Sequence, residues 1–275
     1  MSSLTLTLRQ EPEQRLDLSR LTPQKLATLA ISDIEKIELA GGKNPVTVGD
    51  CFLVSGTDVD SITFEGGSRR LDNIGAEMSG GSIRVVGDAG ARLARRMTAG
   101  SIIVEGSVGP FAASQMLDGR VEVMGDAGDF TGGPIAGEMR GMCGGTLIVR
   151  GRAGDRLGDR MRRGMIVVLG GCGDYAGSRM IAGTIVIAGG SGHLPGYLMR
   201  RGSILLDRAP QSISPSFVES GPWFSAFASL LERHLIRDEI VDYPFLGEGP
   251  RRFVGDNAVH GKGELIVASN APDMP

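Results

Sequence analysis

Residues 173–189 read GDYAGSRMIAGTIVIAG, and this pattern recurs along the middle of the chain. In this stretch, Met180 is followed three residues later by Gly183 and nine residues later by Gly189. A methionine with a glycine three residues after it occurs seven times, at intervals of 19, 19, 26, 19, 19 and 19 residues: Met78, Met97, Met116, Met142, Met161, Met180 and Met199. A fixed period of this length is typical of repeat proteins, in which each unit packs on its neighbours.

Each repeat unit contains one predicted β-strand. The positions five and seven residues after every methionine are apolar, as at Ile185 and Ile187. Residues two apart share one face of a strand, and 19 residues are too few for a strand plus a crossover helix. Glycines permit the positive φ of tight corners, and the methionines suit an irregular core corner. We therefore predict an all-β dominated fold, a right-handed parallel β-helix of about seven 19-residue coils.

The outward position of the strand, six residues after each methionine, changes along the chain. It is Arg84, Ile103 and Glu122 in the first three units. It is apolar in the last four units, at Ile148, Val167, Val186 and Leu205. Residues 222–236 predict an amphipathic helix whose apolar residues follow a helical period: Trp223, Phe227, Leu230, Leu231 and Leu235. We expect this helix or a partner subunit to cover the apolar outward stripe.

The 26-residue interval contains seven residues more than one period. The excess lies between Gly128 and Met142, so residues 129–141 contain an inserted loop. Within it, Thr131-Gly132-Gly133-Pro134 is typical of a turn.

The sequence around the repeats divides the chain into three parts. We predict a small N-terminal α+β cap over residues 1–56, the β-helix over 57–207, and a C-terminal helix and tail over 208–275, ordered to about Val267. Within the cap, Leu4–Leu8 alternates like a strand. Thr22-Pro23 is a typical helix start. Residues 46–48 and 51–54 predict short strands.

Composition limits the classes of function. The chain has 275 residues, 43 of them glycine, and a net charge of −3, which gives no excess positive charge for nucleic acid. It lacks a long apolar run for a membrane and a basic signal-peptide start, so we expect a cytoplasmic protein without nucleic-acid or membrane partners. The cysteines, Cys51, Cys143 and Cys172, are widely spaced and form no C-x-x-C motif. This favours small buried side chains over a metal site or disulfide.

The sequence contains no recognisable catalytic motif. Its histidines, His193, His234 and His260, stand alone, and the usual metal, nucleophile and phosphate-loop motifs are absent. Asp155 and Asp174 would stack one coil apart, so a β-helix carbohydrate-active enzyme with paired carboxylates is an alternative. The chain has one tryptophan and three tyrosines, so it has few such aromatic rings on which a sugar could stack. We predict no catalytic, cofactor-binding or metal-binding residue in this chain.

Arginines gather at the methionine corner of the last three units. The candidate residues are Arg160, Arg162, Arg163, Arg179, Arg200 and Arg201. Stacked coils would bring them within one or two strand spacings of each other. One interpretation is a solvated or interface edge. The other is an anion-facing or partner-facing edge, because guanidinium groups make bidentate contacts with carboxylates.

The repeat quoted above resembles the glycine-motif β-helix shared by the C-terminal domain of large glutamate synthase subunits and by the C subunit of formylmethanofuran dehydrogenase. The length of the chain, its short cap and its single β-helix are similar to this free-standing C subunit. The tail segments 255–256 and 261–264, Gly-Asp and Gly-Lys-Gly-Glu, are also similar to it. The resemblance covers roughly residues 50–267.

Two complexes contain such a subunit. One is the archaeal formylmethanofuran dehydrogenase, which contains molybdenum or tungsten. The other is the bacterial formyltransferase/hydrolase complex, which converts formyl-tetrahydromethanopterin through a methanofuran analogue to formate in formaldehyde oxidation. Residues 12–18 and 48–52 resemble the bacterial form more. A free-standing spacer of the glutamate synthase type is a further alternative.

The resemblance implies a non-catalytic scaffold subunit in a hetero-oligomer. Its partners would be the B subunit, an amidohydrolase-like A subunit with a binuclear metal centre, and a formyltransferase D subunit. These partners would handle methanofuran and tetrahydromethanopterin, and this chain would bind no cofactor of its own. The family supplies no catalytic residue for this sequence.

Overall fold

A computed structural model of the chain describes residues 2–40, 45–222 and 226–269. The strands before the repeats are β1 (Ser3–Leu8), β2 (Leu16–Asp17), β3 (Glu38–Ala40), β4 (Val46–Thr47), β5 (Phe52–Ser55), β6 (Asp58–Gly67) and β7 (Leu71–Asp72). The repeat strands are β8 (Ser79–Gly87), β9 (Ala99–Val104), β10 (Arg120–Val123), β11 (Thr146–Val149), β12 (Met165–Val168), β13 (Thr184–Ile187) and β14 (Ser203–Leu206). The last strands are β15 (Val218–Pro222), β16 (Arg251–Gly255) and β17 (Gly263–Val267). The helices are α1 (Pro23–Leu26), α2 (Ile31–Ile34), α3 (Val48–Cys51) and α4 (Ala226–Arg237), with a 3-10 turn at Asn257–Val259.

The repeat strands form the centre of a 13-stranded sheet with the order β15-β16-β17-β14-β13-β12-β11-β10-β9-β8-β6-β1-β5. Each repeat strand pairs in parallel with the strand one unit away, so that Ile166 lies opposite Ile185. At the two ends of the sheet the pairing is antiparallel, where β5 joins β1 and where β15 and β16 follow β17. The fold is therefore strand-dominated with a large, mostly parallel sheet and few helices, as the sequence predicts.

The units also contact each other at a corner outside the sheet. Isolated parallel bridges pair Ala153 with Cys172, and Cys172 with Ser191. Beside them, the Asp155 carboxylate accepts the backbone N–H of Asp174 at 2.9 Å. Each unit is thus hydrogen-bonded to the next along both a strand and a corner.

The inward side of the units forms an apolar core. All seven repeat methionines are fully buried, which confirms them as packing residues. The glycine three residues after each methionine is needed for this packing. A Cβ atom on Gly202 would lie 2.7 Å from Met180 Cε and 2.7 Å from the carbonyl oxygen of Gly183, and the φ of Gly202 is +102°.

The C-terminal segment covers the apolar outward stripe. Ile148, Val167, Val186 and Leu205 are fully buried and pack in one cluster with α4 and the segment that follows it. That cluster contains Leu231 and Leu235 of the helix, together with Ile240, Phe245 and Leu246. The predicted covering of this stripe is confirmed.

The helix itself differs from the prediction in extent and in its buried face. Pro222 belongs to β15, and the described helix begins at Ala226; Trp223 lies outside the described residues. Ala228, Leu231 and Leu235 are buried, whereas Phe227 and Leu230 are 46% and 61% exposed. Residues 228, 231 and 235 form a narrow stripe along one side of the helix. The exposed Phe227 and Leu230 directly precede Ala228 and Leu231 in sequence and lie beside this stripe.

The predicted strand Leu4–Leu8 and the helix start at Thr22-Pro23 are confirmed, although α1 is only four residues long. The predicted strands at 46–48 and 51–54 are interrupted by one helical turn, α3. The cause is local, because the Asp50 carboxylate accepts the backbone N–H of Thr47 at 2.9 Å and its hydroxyl at 2.7 Å. These bonds cap the turn and hold the pKa of Asp50 below its ordinary value.

One strand of the parallel stack comes from the tail. In β17, Leu265 lies opposite Ile204 of β14, so the tail adds one more parallel strand after the last repeat strand. The sequence pattern predicts a β-helix that ends at residue 207, before this strand. Residues 263–267 do show the pattern of glycine followed by alternating apolar positions, but His260 stands where the repeat would have a methionine.

Candidate functional site

The inserted loop lies at the methionine corner and consists of residues 133–141. Gly132 takes the position that Gly177 occupies in a regular unit, three residues before Met180. The Met142 N–H donates to the Gly132 carbonyl at 2.7 Å, just as the Met180 N–H donates to Gly177 at 3.1 Å. A regular unit has two residues between these positions, and this unit has nine. All the extra residues therefore lie after Gly132.

The loop is fixed to the stack by the Glu138 carboxylate and by Arg160, whose Nη1 donates to Met139 Sδ at 2.8 Å and whose carbonyl oxygen accepts the Gly141 N–H at 3.0 Å. Glu138 Oε1 accepts hydrogen bonds from Arg95 Nη2 at 2.6 Å and from Arg96 Nη2 at 3.0 Å. The next two residues, Met139 and Arg140, are exposed, and Met139 is 69% exposed. The loop thus has a fixed base and an uncovered apolar and cationic tip.

Five arginines line one groove beside the loop. We call it the Arg groove and define it by Arg140, Arg162, Arg163, Arg200 and Arg201. Its volume is about 630 Å³, and its apolar floor consists of Leu117, Cys143, Ile181 and Ala182. All five arginines are exposed, and within the described ranges none of them forms an ion pair with a carboxylate. The groove is a concentrated positive charge in a chain of net charge −3.

Backbone hydrogen bonds set the spacing of these arginines. The residue after each methionine donates its N–H to the methionine carbonyl of the preceding unit at 2.8 Å, at Arg162, Ile181 and Arg200. These residues therefore lie in three successive units, and the two arginine pairs flank one unit of apolar side chains. With about 4.8 Å between parallel strands, the pairs are about 10 Å apart along the stack.

The other two predicted arginines have a partner in the protein. The carboxylate of Asp159, which is 1% exposed, accepts hydrogen bonds from Arg179 at 2.8 and 3.0 Å and from the Ser178 hydroxyl at 2.5 Å. Arg160 Nε lies 3.9 Å from the same carboxylate. A buried carboxylate requires a compensating charge, which Arg179 and Arg160 supply, and Arg160 Nη1 also donates to Met139 Sδ of the inserted loop at 2.8 Å.

The structure thus brings four of the six predicted arginines together in the groove. Arg140 joins them from the inserted loop, and sequence reasoning missed it. The available signal was its position beside the single irregularity of the repeat, two residues before Met142.

The carboxylates considered for carbohydrate chemistry are engaged with the backbone. Asp155 accepts the N–H of Asp174, and Asp174 accepts the N–H of His193 at 2.7 Å. His193 lies at a corner, with Nδ1 3.1 Å from the Ser212 hydroxyl. These contacts join neighbouring units, which accounts for the positions of the two carboxylates without a substrate.

The cysteines differ in their surroundings. Cys172 is buried, as predicted, and burial raises the pKa of its thiol to about 11. Cys51 and Cys143 are half-buried, and Cys143 lies on the floor of the Arg groove. Within the described residues there is no group of three His, Cys, Asp or Glu side chains that could hold a metal ion. No helix among them is long and apolar enough to cross a membrane.

Comparison with known proteins identifies the family. The chain is 48% identical over 263 residues to the C subunit of the formyltransferase/hydrolase complex Fhc of Methylorubrum extorquens, covering 96% of this chain and 98% of that protein. The chain belongs to the family of Fhc C subunits. The crystal structure of the FhcABCD complex from the same organism, in complex with methylofuran, contains a chain that matches with a TM-score of 0.93 and 43% identity, covering 97% of this chain and 100% of that chain.

The chain also has a more distant similarity to an archaeal subunit. The C subunit of the tungsten-containing formylmethanofuran dehydrogenase 2 of Methanothermobacter thermautotrophicus is 33% identical over 93 residues, which is 32% of this chain and 34% of that protein. No family model matches the chain. The resemblance drawn from the repeat is confirmed, and of the two kinds of complex, the formyltransferase/hydrolase complex has the relative that covers nearly the whole chain.

Proposed function

We propose that this chain is the non-catalytic scaffold, the C subunit, of a formyltransferase/hydrolase complex. The observation that carries the proposal is its similarity to the Fhc C subunit of Methylorubrum extorquens along nearly the full length of both chains. The complex would convert formyl-tetrahydromethanopterin through formylmethanofuran to formate. The partners would be the B subunit, the amidohydrolase-like A subunit, and the formyltransferase D subunit.

In this proposal the repeat units wind as a right-handed parallel β-helix. The parallel strand pairs and the corner bridges, both one unit apart, support this winding. A stack of such units is a rigid body with a wide surface for large partners. The division at residues 56/57 and 207/208 and the cytoplasmic location stay predictions.

The reacting groups and the furan coenzyme belong to the partner subunits in this proposal. The described residues offer no ligand set for a binuclear metal centre, and we derive no chemical step in this chain. The crystal structure of the related complex contains methylofuran. That complex therefore handles the coenzyme class named in the proposal.

The Arg groove is the anion-facing or partner-facing edge of this scaffold. Its guanidinium groups are exposed and, among the described residues, without an ion pair, so they are available for bidentate contacts with carboxylates. Arg160 and Arg179 contact Asp159 and line an adjoining depression together with Arg162 and Arg200.

Affinity purification of the tagged chain from its native host, followed by mass spectrometry, tests the proposal. We expect recovery of an amidohydrolase-like protein and a formyltransferase, with an untagged culture as the control. An amidohydrolase together with a molybdenum- or tungsten-pterin protein would assign the chain to a dehydrogenase instead. A chain recovered alone and monomeric would contradict the scaffold role.

A further inference from the structure

The positive charge of the Arg groove is not balanced by the described part of the chain. Several exposed arginines elsewhere have acidic partners, such as Arg84 with Glu105 and Arg208 with Asp207, whereas the exposed Arg152 donates to the carbonyl oxygen of Gly170. In the groove, five guanidinium groups lie around a floor without an acidic residue. The spacing of the arginine pairs, about 10 Å, is close to the Debye length of about 8 Å at physiological salt, so their repulsion is only partly screened. An acidic surface placed on the groove would relieve this repulsion.

The groove also offers exposed apolar surface. Leu117 in the groove and Met139 in the adjoining depression are among the most exposed large apolar side chains of the described residues. Ile181 and Ala182 lie between the arginine pairs. Protein–protein interfaces are enriched in arginine and methionine around an apolar centre. Binding to a nucleic-acid backbone depends mainly on positive charge. The observations therefore favour a protein surface that presents carboxylates around an apolar side chain.

A partner protein that docks on a regular stack must bind at one of several similar positions along it. Successive units expose similar backbones, shifted by about 4.8 Å, so a partner that contacts only the repeated features could bind one unit too early or too late. Paired strands within a sheet could also shift along each other, and the pattern of their side chains fixes one register. On this stack, the inserted loop 133–141 interrupts the repetition at one defined unit. A second depression of about 480 Å³, lined by Arg96, Gln115 and Glu138, adjoins the Arg groove and shares Leu117, Arg140 and Cys143 with it.

We propose that the inserted loop fixes the register in which an acidic surface of a partner protein docks on the Arg groove. Met139 would contact an apolar side chain of that protein, and Arg140 would complete the set of five cations. The inference rests on the proposed function, because the docked protein is another subunit of the same complex.

Two variants separate docking from folding. In the first, residues 133–141 are replaced by Ser-Gln, the pair found at positions 114–115, which restores the 19-residue interval. In the second, Met139→Ser is combined with Arg140→Ser, which leaves the contacts of Glu138 with Arg95 and Arg96 in place and removes the hydrogen bond from Arg160 Nη1 to Met139 Sδ. The matched control is Leu230→Ser with Arg233→Ser, which also removes one exposed apolar residue and one arginine from the surface.

Each tagged variant is co-expressed with the A, B and D proteins of the complex, and the retained partners are quantified at 0.15 M and 0.5 M salt. A photoreactive residue in place of Leu117 reports which peptide of the partner lies over the groove. We expect the second variant to retain roughly tenfold less partner than the control. We expect the first variant to cross-link to displaced or multiple peptides of the partner.

Equal retention by all variants, with an unchanged cross-link, would overturn the inference and leave the proposed function intact. If the unmutated chain retains none of the three partners, the proposed function fails, and the inference fails with it. Nucleic acid recovered on the unmutated chain in place of a protein, and lost in the second variant, would overturn the assignment of a protein partner.

Discussion

The first three repeat strands and the last four share the same inward face but differ in their outward face. Outward residues of the early strands, such as Arg84 and Ile103, are exposed, and Ile103 is 45% exposed. The outward residues of the late strands are all buried beneath the C-terminal segment: Ile148, Val167, Val186 and Leu205. Because the backbone pairing is the same in both regions, the outward side chain determines where the sheet carries a second layer.

The two regions meet at Arg150. Its Nε and Nη2 atoms donate to Glu122 Oε1 of the last early strand at 2.9 and 2.8 Å. Its Nη1 donates to the carbonyl oxygen of Ile240, in the covering segment, at 3.2 Å. One guanidinium group thus joins the uncovered part of the sheet to the edge of the second layer.

The largest effect is expected from a charge placed under that layer. Val186→Asp would bury a carboxylate without a partner and should lower the free energy of unfolding by about 4 kcal/mol. Ile103→Asp, at the same position of an early unit, should cost less than about 1 kcal/mol. Urea unfolding followed by circular dichroism measures both changes. Similar losses for the two variants would contradict the difference between the regions.

The next effect concerns the two faces of α4. Leu235→Ala removes a fully buried side chain and should cost about 3 kcal/mol. Leu230→Ala, on the exposed face, should change stability by no more than about 0.5 kcal/mol. Thermal unfolding of the two single variants measures which face of α4 contributes more to stability. If Leu230→Ala were the more destabilising variant, the helix would pack through its other face.

The repeat could be predicted from the sequence because each position has one physical requirement. Gly202 shows this, since any side chain there would collide with Met180 and with the backbone of the preceding unit. The covering of the outward stripe could also be predicted, because four apolar residues on the same face of neighbouring strands need a cover.

Other features depend on contacts that no local pattern reveals. β17 lacks the methionine of the repeat, and its pairing with β14 requires the chain to return after α4. Arg140 reaches the groove because Glu138 is bound to Arg95, 43 residues away in sequence. Arg160 and Arg179 directly precede a repeat methionine, whereas Arg162, Arg163, Arg200 and Arg201 directly follow one. The buried Asp159 contacts the first two.

A smaller effect should come from the boundary between the regions. Arg150→Ala removes hydrogen bonds to the Glu122 carboxylate and to the backbone of the covering segment, and should cost about 1.5 kcal/mol. Arg152→Ala is the control, because the Arg152 side chain is exposed and, among the described residues, donates only to the carbonyl of Gly170. Chemical denaturation of both variants measures the difference. No excess loss for Arg150→Ala would mean that the boundary does not depend on this residue.

The last prediction concerns chemical reactivity and involves no change in stability. It compares Cys172 in the core with Cys143 on the floor of the Arg groove. A pKa of about 11 at Cys172, against an ordinary value of 9.0, lowers its thiolate fraction at pH 8 by roughly 100-fold. Iodoacetamide should therefore modify Cys143 in the native chain and leave Cys172 unmodified. Peptide mass spectrometry after timed alkylation measures both sites, and unfolding in urea should make Cys172 reactive. Equal native rates would contradict the burial of Cys172.

Hydroxyl-radical footprinting of the isolated chain and of the assembled complex tests the central claim most directly. The claim is that the chain covers its own apolar outward stripe and leaves the Arg groove for a partner. It predicts that assembly lowers the oxidation rate of Met139 by roughly fivefold or more, as expected for a side chain buried in an interface, whereas Phe227 and Leu230 keep their rates. An unchanged rate at Met139 together with protection of Phe227 and Leu230 would contradict the claim and place the docking surface on α4.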